Sequence, residues 1–152
     1  MRVVRNENEL IDGLAITMKE ALSAFGSDVV YLEKYIENPR HIEVQVVGDG
    51  KGNAIHLGTR DCSIQRRNQK IIEEAPATGL NEKELEQVLS SCINLCEKLS
   101  YEGAGTIEFL YKDGKFFFIE MNARIQVEHP VTEMISMFCL LYTSDAADDN
   151  TC

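Results

Sequence analysis

The hairpin that decides the fold lies at residues 106–122, which read TIEFLYKDGKFFFIEMN. Two apolar runs flank Asp113-Gly114, and a short polar turn between two such runs predicts an antiparallel hairpin. Glu108 and Glu120 each interrupt one of the runs. Because a carboxylate in an apolar strand is costly to bury unless it is paired or bound to a metal ion, these two residues are the first candidates for a functional site.

The length of the turn decides whether the two carboxylates meet. A two-residue loop pairs Glu108 with Ile119 and places the glutamates on opposite faces of the hairpin. An odd loop, such as a type I turn followed by a left-handed glycine, instead places Glu108 opposite or diagonal to Glu120. Asn122 then lies two residues further along the same face. Two carboxylates and an amide oxygen suit a hard cation such as magnesium, held jointly with substrate phosphates. The alternative, in which one glutamate faces water and the other pairs with a lysine, stays open on spacing alone.

A second group of polar residues follows the hairpin directly. Arg124, Gln126 and Glu128 alternate with apolar residues. In an extended chain their side chains therefore point the same way, alongside Glu120 and Asn122. An arginine fork can hold a planar anion in a two-point contact, and a neighbouring glutamate can act as a base on that anion. The pattern predicts an anion site beside the cation site.

Composition and charge exclude several classes of protein. The chain has 152 residues, about one domain, and its 15 basic and 25 acidic residues give a formal net charge of −10. The acidic excess argues against a nucleic-acid partner. No apolar run approaches the roughly 20 residues of a membrane-spanning helix, so no membrane partner is expected. The first 30 residues contain no apolar core of a signal peptide, and five cysteines, an odd number, favour a reducing compartment.

Residues 60–70, here called the basic strip, run against the overall charge. The strip contains Arg60, Arg66, Arg67 and Lys70 against a single acidic residue, Asp61. A local excess of positive charge in an acidic protein favours a small anionic ligand. A solvated strand face explains the same pattern equally well, and the sequence leaves both readings open.

Periodicity along the chain predicts the order helix, strands, helix, hairpin. Residues 42–46 alternate strictly between apolar and polar, which is typical of a half-buried strand. Cys92 and Cys96 share one face of a helix and are expected to pack as small hydrophobic residues. Adjacent strands joined by tight turns predict an α+β fold with a mostly antiparallel sheet and packed helices. The predicted helices cover 6–25 and 81–99, and the predicted strands cover 29–36, 42–46, 54–59, 106–112 and 115–122.

Five motifs in order resemble the central part of biotin carboxylase, a member of the ATP-grasp family. The resemblance covers residues 1–135 and implies a partial ATP-grasp domain, its central to C-terminal part. Residues 136–152 do not match and are interpreted as a tail that resembles translated adapter sequence or an out-of-frame join. The motifs are YLEKYIENPRHIEVQ (31–45), RDCSIQRRNQK (60–70), EEAP (73–76), GAGTIEF (103–109) and FIEMNARIQVEHPVTEMI (118–135).

The resemblance implies an activity. ATP, bicarbonate and biotin on a biotin carboxyl carrier protein would give carboxybiotin, ADP and phosphate, the first half-reaction of acetyl-CoA carboxylase in fatty acid biosynthesis. The implied partners are that carrier and a carboxyltransferase, with a homodimer by analogy and a cytoplasmic location (mitochondrial or plastid in a eukaryote). The alternatives are the same domain of pyruvate or propionyl-CoA carboxylase, the more distant large chain of carbamoyl phosphate synthetase, and an inactive truncated fragment. The family's glycine-rich lid and further lysines would lie outside this chain, so the chain alone is expected to be inactive.

Carried over residue by residue, the resemblance also implies a nucleotide and metal site. The metal site agrees with the argument from the hairpin, which rests on the residues alone. The implied ligands of two magnesium or manganese ions are Glu108, Glu120 and Asn122. The implied nucleotide-binding residues are the adenine hinge Glu33, Lys34, Tyr35 and Ile36, the ribose contact His41, the cleft residues Gln65 and Asn68, and Lys70 at the phosphates.

The bicarbonate pocket is implied in the same way. Its members are Lys70, Arg124, Gln126, Glu128 and the backbone of Val127. Bicarbonate is a poor nucleophile until it is deprotonated, so Glu128 would take its proton while Arg124 and Lys70 hold the anion. The resulting oxyanion would attack the γ-phosphate of ATP to give carboxyphosphate, which breaks down to carbon dioxide beside the biotin ring.

Overall fold

The computed structural model describes residues 2–142 and divides the chain into two units, Met1–Glu37 and Asn38–Cys152. Within the described residues, no helix combines the length and the apolar character that crossing a membrane requires. The first unit contains the helix α1 (Glu7–Phe25). The second unit contains, in chain order, β1 (Arg40–Asp49), β2 (Ala54–Arg66), β3 (Gln69–Glu74), α2 (Glu82–Lys98), β4 (Glu102–Lys112), β5 (Lys115–Asn122) and α3 (His129–Ser136).

The first unit confirms the predicted helix and corrects the predicted strand. The Asn6 side chain caps α1 by accepting a hydrogen bond from the backbone N–H of Glu9 at 3.0 Å. The helix ends at Gly26, whose φ of 73° is the left-handed conformation that glycine tolerates best. The strand predicted over 29–36 is wrong: the stretch belongs to no helix or strand. Its apolar residues predict an extended chain, but a strand also needs a neighbour to pair with.

The second unit is built on one sheet with the strand order β3-β2-β1-β4-β5. Every neighbouring pair is antiparallel, which confirms the predicted α+β class. α2 packs on β1 and β2, where Cys92 and Cys96 are buried as predicted. Leu99, the last residue of the predicted helix, is exposed because the helix has already ended there. The core under α2 comprises Val44, Val46, Cys92, Cys96, Ile107 and Phe109.

The other face of β1 is buried as well, so the prediction of a half-buried strand is wrong. Val44 and Val46 face the hydrophobic core, and Glu43 and Gln45, which alternate with them on the opposite face, are also fully buried. α3 packs against β2, and its Thr132 shares a buried hydrogen-bonded network with Glu43 and Gln45. The polar positions of the alternation therefore mark a buried polar layer, and this layer contains the candidate site.

The β4–β5 hairpin brings the two glutamates together by a route that the sequence did not predict. The turn has two residues, Asp113 and Gly114, both with positive φ, so the even loop is the one of the two open alternatives that occurs. The register shifts beside Glu108 instead: Phe109 pairs with Phe118, but Glu108 pairs with Glu120. One residue of β5 is thereby left over, which is a β-bulge, and the bulge restores the pairing that a two-residue turn alone would prevent.

Candidate active site

An ammonium group surrounded by three carboxylates lies at the centre of the polar layer. Lys70 projects from β3, and its Nζ contacts Glu43 Oε1, lies 3.2 Å from Glu108 Oε1 and lies 2.5 Å from Glu128 Oε1. The three acids come from β1, β4 and the residue that precedes α3. All three are buried. Segments far apart in the chain thus bring together a cation and three anions.

The charges of this centre stabilise one another. Burial opposes the ionisation of Glu108, but hydrogen bonds from His41 and Gln126 and the charge of Lys70 outweigh it and lower the pKa of Glu108 to about 2. Burial likewise opposes the charge on Lys70, yet its bonds to Glu128 and Glu43 raise the Lys70 pKa. For Glu128, burial is again outweighed by the Lys70 bond, which lowers the pKa of the carboxyl. The carboxylates of Glu108 and Glu128 are therefore ionised at neutral pH.

His41 points at Glu108. Its Nε2 lies 2.7 Å from Glu108 Oε2, and its Nδ1 lies 2.9 Å from Gln65 Nε2. The amide nitrogen of Gln65 can only donate, so Nδ1 accepts and Nε2 carries the hydrogen that is donated to Glu108. His41 lies beside Glu108 because the register of β1 with β4 pairs Glu43 with Glu108, and His41 is two residues from Glu43 on the same face of β1. The roles of His41 and Gln65 toward a nucleotide stay predictions.

The three predicted metal ligands lie together. Glu108 and Glu120 are directly opposed, and Asn122 Nδ2 donates to Glu108 Oε1 at 3.0 Å and to Glu120 Oε1 at 3.3 Å. Carboxylate oxygens fit magnesium. The amide oxygen of Asn122 faces Arg124 Nη2 at 3.4 Å, so this side chain would have to turn to offer that oxygen to an ion. Glu108 is buried and Glu120 is exposed, so such a site would be open on one side.

Two further groups of potential metal ligands occur among residues 2–142. The ligand atoms of His41, Glu43 and Glu108 lie within 4.8 Å of one another, and so do those of Glu43, Cys62 and Glu128. Glu43 belongs to both groups, although the sequence did not predict it as a site residue. The position of Glu43 between two core residues was a signal that the sequence did contain. Only the register of β1 with β4 identifies the residues that Glu43 faces.

The segment after β5 departs from the predicted extended chain. The chain bends at Arg124 and turns at Val127 and Glu128, where the N–H of His129 bonds to the carbonyl of Gln126 at 3.1 Å. Gln126 and Glu128 are buried and still meet the centre, Gln126 by donating to Glu108 Oε1 at 2.9 Å. Arg124 remains exposed, and Val127 is 94% exposed. The turn separates side chains that a straight strand would align.

The remaining predicted nucleotide-binding residues are Asn68 and the four residues of the adenine hinge. Asn68 is exposed in the turn between β2 and β3, where its φ is 63°. Glu33, Lys34 and Tyr35 are exposed and Ile36 is partly buried, in the part of the first unit that contains no helix or strand. Their proposed contacts with a nucleotide stay predictions.

Arg60 is a buried residue whose importance the sequence did not reveal. It belongs to the basic strip, for which an anionic ligand and a solvated face were both open. In the structure the basic residues of the strip differ in exposure: Arg66 and Arg67 are exposed, whereas Arg60 has no exposed surface. Its guanidinium donates to side-chain oxygens of Glu43 (3.0 Å), Gln45 (2.7 Å), Thr106 (3.1 Å), Gln126 (3.5 Å) and Thr132 (2.9 Å).

Comparison with known protein families identifies the family of the chain. The family described as carbamoyl-phosphate synthase L chain, ATP binding domain, matches residues 1–145. The chain belongs to this family. The match extends past the predicted boundary at residue 135, and within the tail the buried Leu140 donates its backbone N–H to Glu133 Oε1 at 2.6 Å. The separate origin of residues 136–152 stays a prediction, and residues 143–152 lie outside the described part.

Three relatives confirm the resemblance to biotin carboxylase. The biotin carboxylase of Pseudomonas aeruginosa is 60% identical over 136 residues, which are 90% of this chain and 30% of that protein. A pyruvate carboxylase component from Methanothermobacter thermautotrophicus is 54% identical over 90% of this chain and 28% of its own length. The chain therefore spans about a third of the length of these curated relatives.

The third relative is a solved structure, the biotin carboxylase domain dimer of Hydrogenobacter thermophilus 2-oxoglutarate carboxylase in complex with MgADP, ADP and bicarbonate. It superimposes with a TM-score of 0.82 at 48% identity and covers 99% of this chain and 34% of that chain. The likeness at this identity confirms that the antiparallel sheet and its helices are the fold of a biotin carboxylase fragment.

Proposed function

We propose that this chain is part of a biotin carboxylase, which uses ATP and bicarbonate to carboxylate biotin on a carrier protein. The observation that supports the proposal is the position of Lys70 between Glu108 and Glu128. One cation there adjoins both a carboxylate suited to magnesium and a carboxylate suited to act as a base. The Hydrogenobacter thermophilus relative was solved with MgADP and bicarbonate, the ligands that such a pair of carboxylates would serve.

Glu128 is the proposed base. Its Oε1 accepts a hydrogen bond from Lys70 Nζ at 2.5 Å, which lowers its pKa and makes it a weak base. When bicarbonate enters, Lys70 would donate to the anion instead. Loss of the bond from Lys70 raises the pKa of Glu128 at the moment when the bicarbonate proton must move to it.

Lys70 and Arg124 are the proposed anion-holding residues. Arg124 is exposed and uses its guanidinium for two weak contacts, to the Ile125 carbonyl at 3.2 Å and to Asn122 Oδ1 at 3.4 Å. A guanidinium has five N–H donors, so it can also grip a planar anion. Glu108, Glu120 and Asn122 would hold magnesium, whose charge neutralises the phosphate oxygens of ATP.

The remaining chemistry follows from the charges. Deprotonated bicarbonate attacks the γ-phosphorus, a new O–P bond forms, and the bond to the β-phosphate breaks as ADP leaves. The carboxyphosphate splits into carbon dioxide and phosphate. Phosphate takes the proton from the ureido nitrogen of biotin, and that nitrogen bonds to the carbon dioxide.

The finer identity that we propose is the biotin carboxylase of acetyl-CoA carboxylase, with a biotin carboxyl carrier protein and a carboxyltransferase as partners and a homodimer as the assembly. The P. aeruginosa relative carries the name biotin carboxylase, which is compatible with this choice, and the relative from M. thermautotrophicus supports the alternative of a pyruvate carboxylase. Propionyl-CoA carboxylase is the further alternative.

The test replaces the matching segment of the P. aeruginosa biotin carboxylase with residues 1–135 of this chain. We expect the chimera to cleave ATP in a bicarbonate-dependent manner. The substitution Glu128→Gln should reduce that rate by about 10²-fold or more, the usual worth of a general base, while ATP binding measured by equilibrium dialysis is unchanged.

The matched control is Glu86→Gln, at an exposed glutamate of α2, which should leave the rate unchanged. A folded chimera that binds ATP but shows no bicarbonate-dependent cleavage would contradict the proposed function. Unchanged turnover in Glu128→Gln would contradict only the assignment of the base.

A further inference from the structure

We infer that Arg60 is a positioning residue that holds the segment 126–132, and with it the proposed base Glu128, in register with the metal-binding strand β4. The inference rests on the proposed function and adds to it a residue outside the proposed ligand contacts. Arg60 donates to no atom of Glu128, Lys70 or Glu108 among its hydrogen bonds in the described residues. Beyond the direct electrostatic effect of its charge on Glu128, its effect on the reaction would therefore pass through the residues that its hydrogen bonds hold.

The first contact that matters is the long bond from Arg60 Nη2 to Gln126 Oε1, at 3.5 Å. A guanidinium can only donate hydrogen bonds, so the amide of Gln126 must turn its oxygen toward Arg60. The NH₂ group then faces the opposite way and donates to Glu108 Oε1 at 2.9 Å. The ionised Glu108 carboxylate can only accept hydrogen bonds, so it requires the same orientation, with the NH₂ group toward β4. Arg60 and Glu108 together thus fix the one amide orientation that joins this segment to β4.

The second contact is the bond from Arg60 Nη1 to Thr132 Oγ1, at 2.9 Å. Thr132 lies four residues after Glu128, about one helical turn, and it is buried in α3. Glu128 caps the start of that helix without a side-chain capping bond. The Thr132 bond therefore fixes the position of the first turn of α3, where the Glu128 carboxylate contacts Lys70.

The other three bonds anchor Arg60 itself. Its Nε donates to Glu43 on β1, its Nη1 also donates to Gln45 on β1, and its Nη2 also donates to Thr106 on β4. Gln45 in turn donates to the Gly105 carbonyl of β4 at 2.8 Å. The guanidinium is thus fixed to two sheet strands on one side and to the segment 126–132 on the other.

Thr132 offers the cleanest test, because Arg60 substitutions can unfold the protein. In the P. aeruginosa chimera we compare Thr132→Val, which removes the hydroxyl, with Thr132→Ser, which keeps it. Thr78→Val is the matched control at an exposed threonine of the same unit. We expect Thr132→Val to raise the KM for bicarbonate by about tenfold, the typical worth of one hydrogen bond. The KM for ATP should stay unchanged, and Thr132→Ser should restore the parent value.

A purely structural role gives a different pattern. If Thr132→Val raises both KM values equally, or if Thr132→Ser behaves like Thr132→Val, the positioning role is overturned. Hydrogen exchange provides a readout that does not require activity: Thr132→Val should speed exchange of the backbone amides of 126–129 and 131, and Thr132→Ser should not. Should the parent chimera lack bicarbonate-dependent ATP cleavage, the proposed function fails, and unchanged exchange in Thr132→Val would then overturn this inference separately.

Discussion

Substitution of Arg60 by methionine is expected to destabilise the second unit strongly. The change keeps a long side chain but removes all five hydrogen bonds of the guanidinium. Removal of one partner from a buried ion pair costs about 3–5 kcal/mol, since the other charge stays buried. Glu43 keeps its contact with Lys70, so its charge is still partly balanced. We therefore expect the low end of that range, about 3 kcal/mol.

Urea unfolding of the 152-residue chain, followed by circular dichroism, measures this loss. With a typical slope of about 2 kcal/mol per molar urea, the midpoint should fall by about 1.5 M. Arg60→Lys keeps the charge but loses the planar fork, so its midpoint should lie between those of the parent and Arg60→Met. The control Arg66→Met, at an exposed position of the same strand, should change stability by at most about 0.5 kcal/mol.

The result that refutes this reasoning is an Arg60→Met midpoint equal to that of Arg66→Met. The guanidinium network would then contribute nothing measurable to folding. A non-cooperative transition in the parent chain would show instead that residues 1–152 do not form a stable domain by themselves, as expected of an inactive truncated fragment.

Two further predictions concern pH and thiol chemistry. Burial opposes the ionisation of Asp61, but hydrogen bonds from Ser63 and Arg40 outweigh this effect and lower the pKa of Asp61. The ionised Asp61 therefore contributes to stability above its usual pKa of about 3.9. This contribution is lost as the pH falls through the lowered pKa. Melting temperatures of the parent and Asp61→Asn should accordingly differ at neutral pH and converge in acid, and a constant difference would contradict the assignment. Burial raises the pKa of the Cys92 thiol to about 12, so iodoacetamide should modify the exposed Cys139 in the folded chain and Cys92 only after denaturation. Peptide mass spectrometry checks this, and rapid labelling of Cys92 in the native chain would be the contrary result.

The elements that depend on local signals were predicted well. α1 and α2 follow from apolar spacing, and in the structure Asn6 and Asn81 cap the starts of these helices by each accepting a backbone N–H. The hairpin follows from two apolar runs around a polar turn. These features involve residues within a few positions of one another, so sequence spacing reports them directly. The prediction of a strand over 29–36 was wrong because the composition of this stretch indicates an extended chain but carries no information about a pairing strand.

The candidate site shows the limit of such local reasoning. That Glu108 and Glu120 meet was correctly proposed, but the reason was wrong, because the two-residue turn is compensated by a bulge beside Glu108. A bulge adds one residue to one strand, and no residue in this hairpin marks its position. Glu43 and Arg60 were missed because their partners lie on other strands and on α3.

The amino-acid sequence alone determined α1, α2, the strands β1, β2, β4 and β5, the antiparallel class and the residue types available for chemistry, since each is encoded by short-range periodicity, turn residues and motif spacing. It did not predict β3 or α3. Only the tertiary structure decided which charges face each other. The register of β1 against β4 and the bulge in β5 set which side chains share a face, and the packing of α3 brings Glu128 to Lys70. These outcomes depend on contacts between residues far apart in the chain, for which the free energy of the whole fold, rather than any local pattern, selects the arrangement.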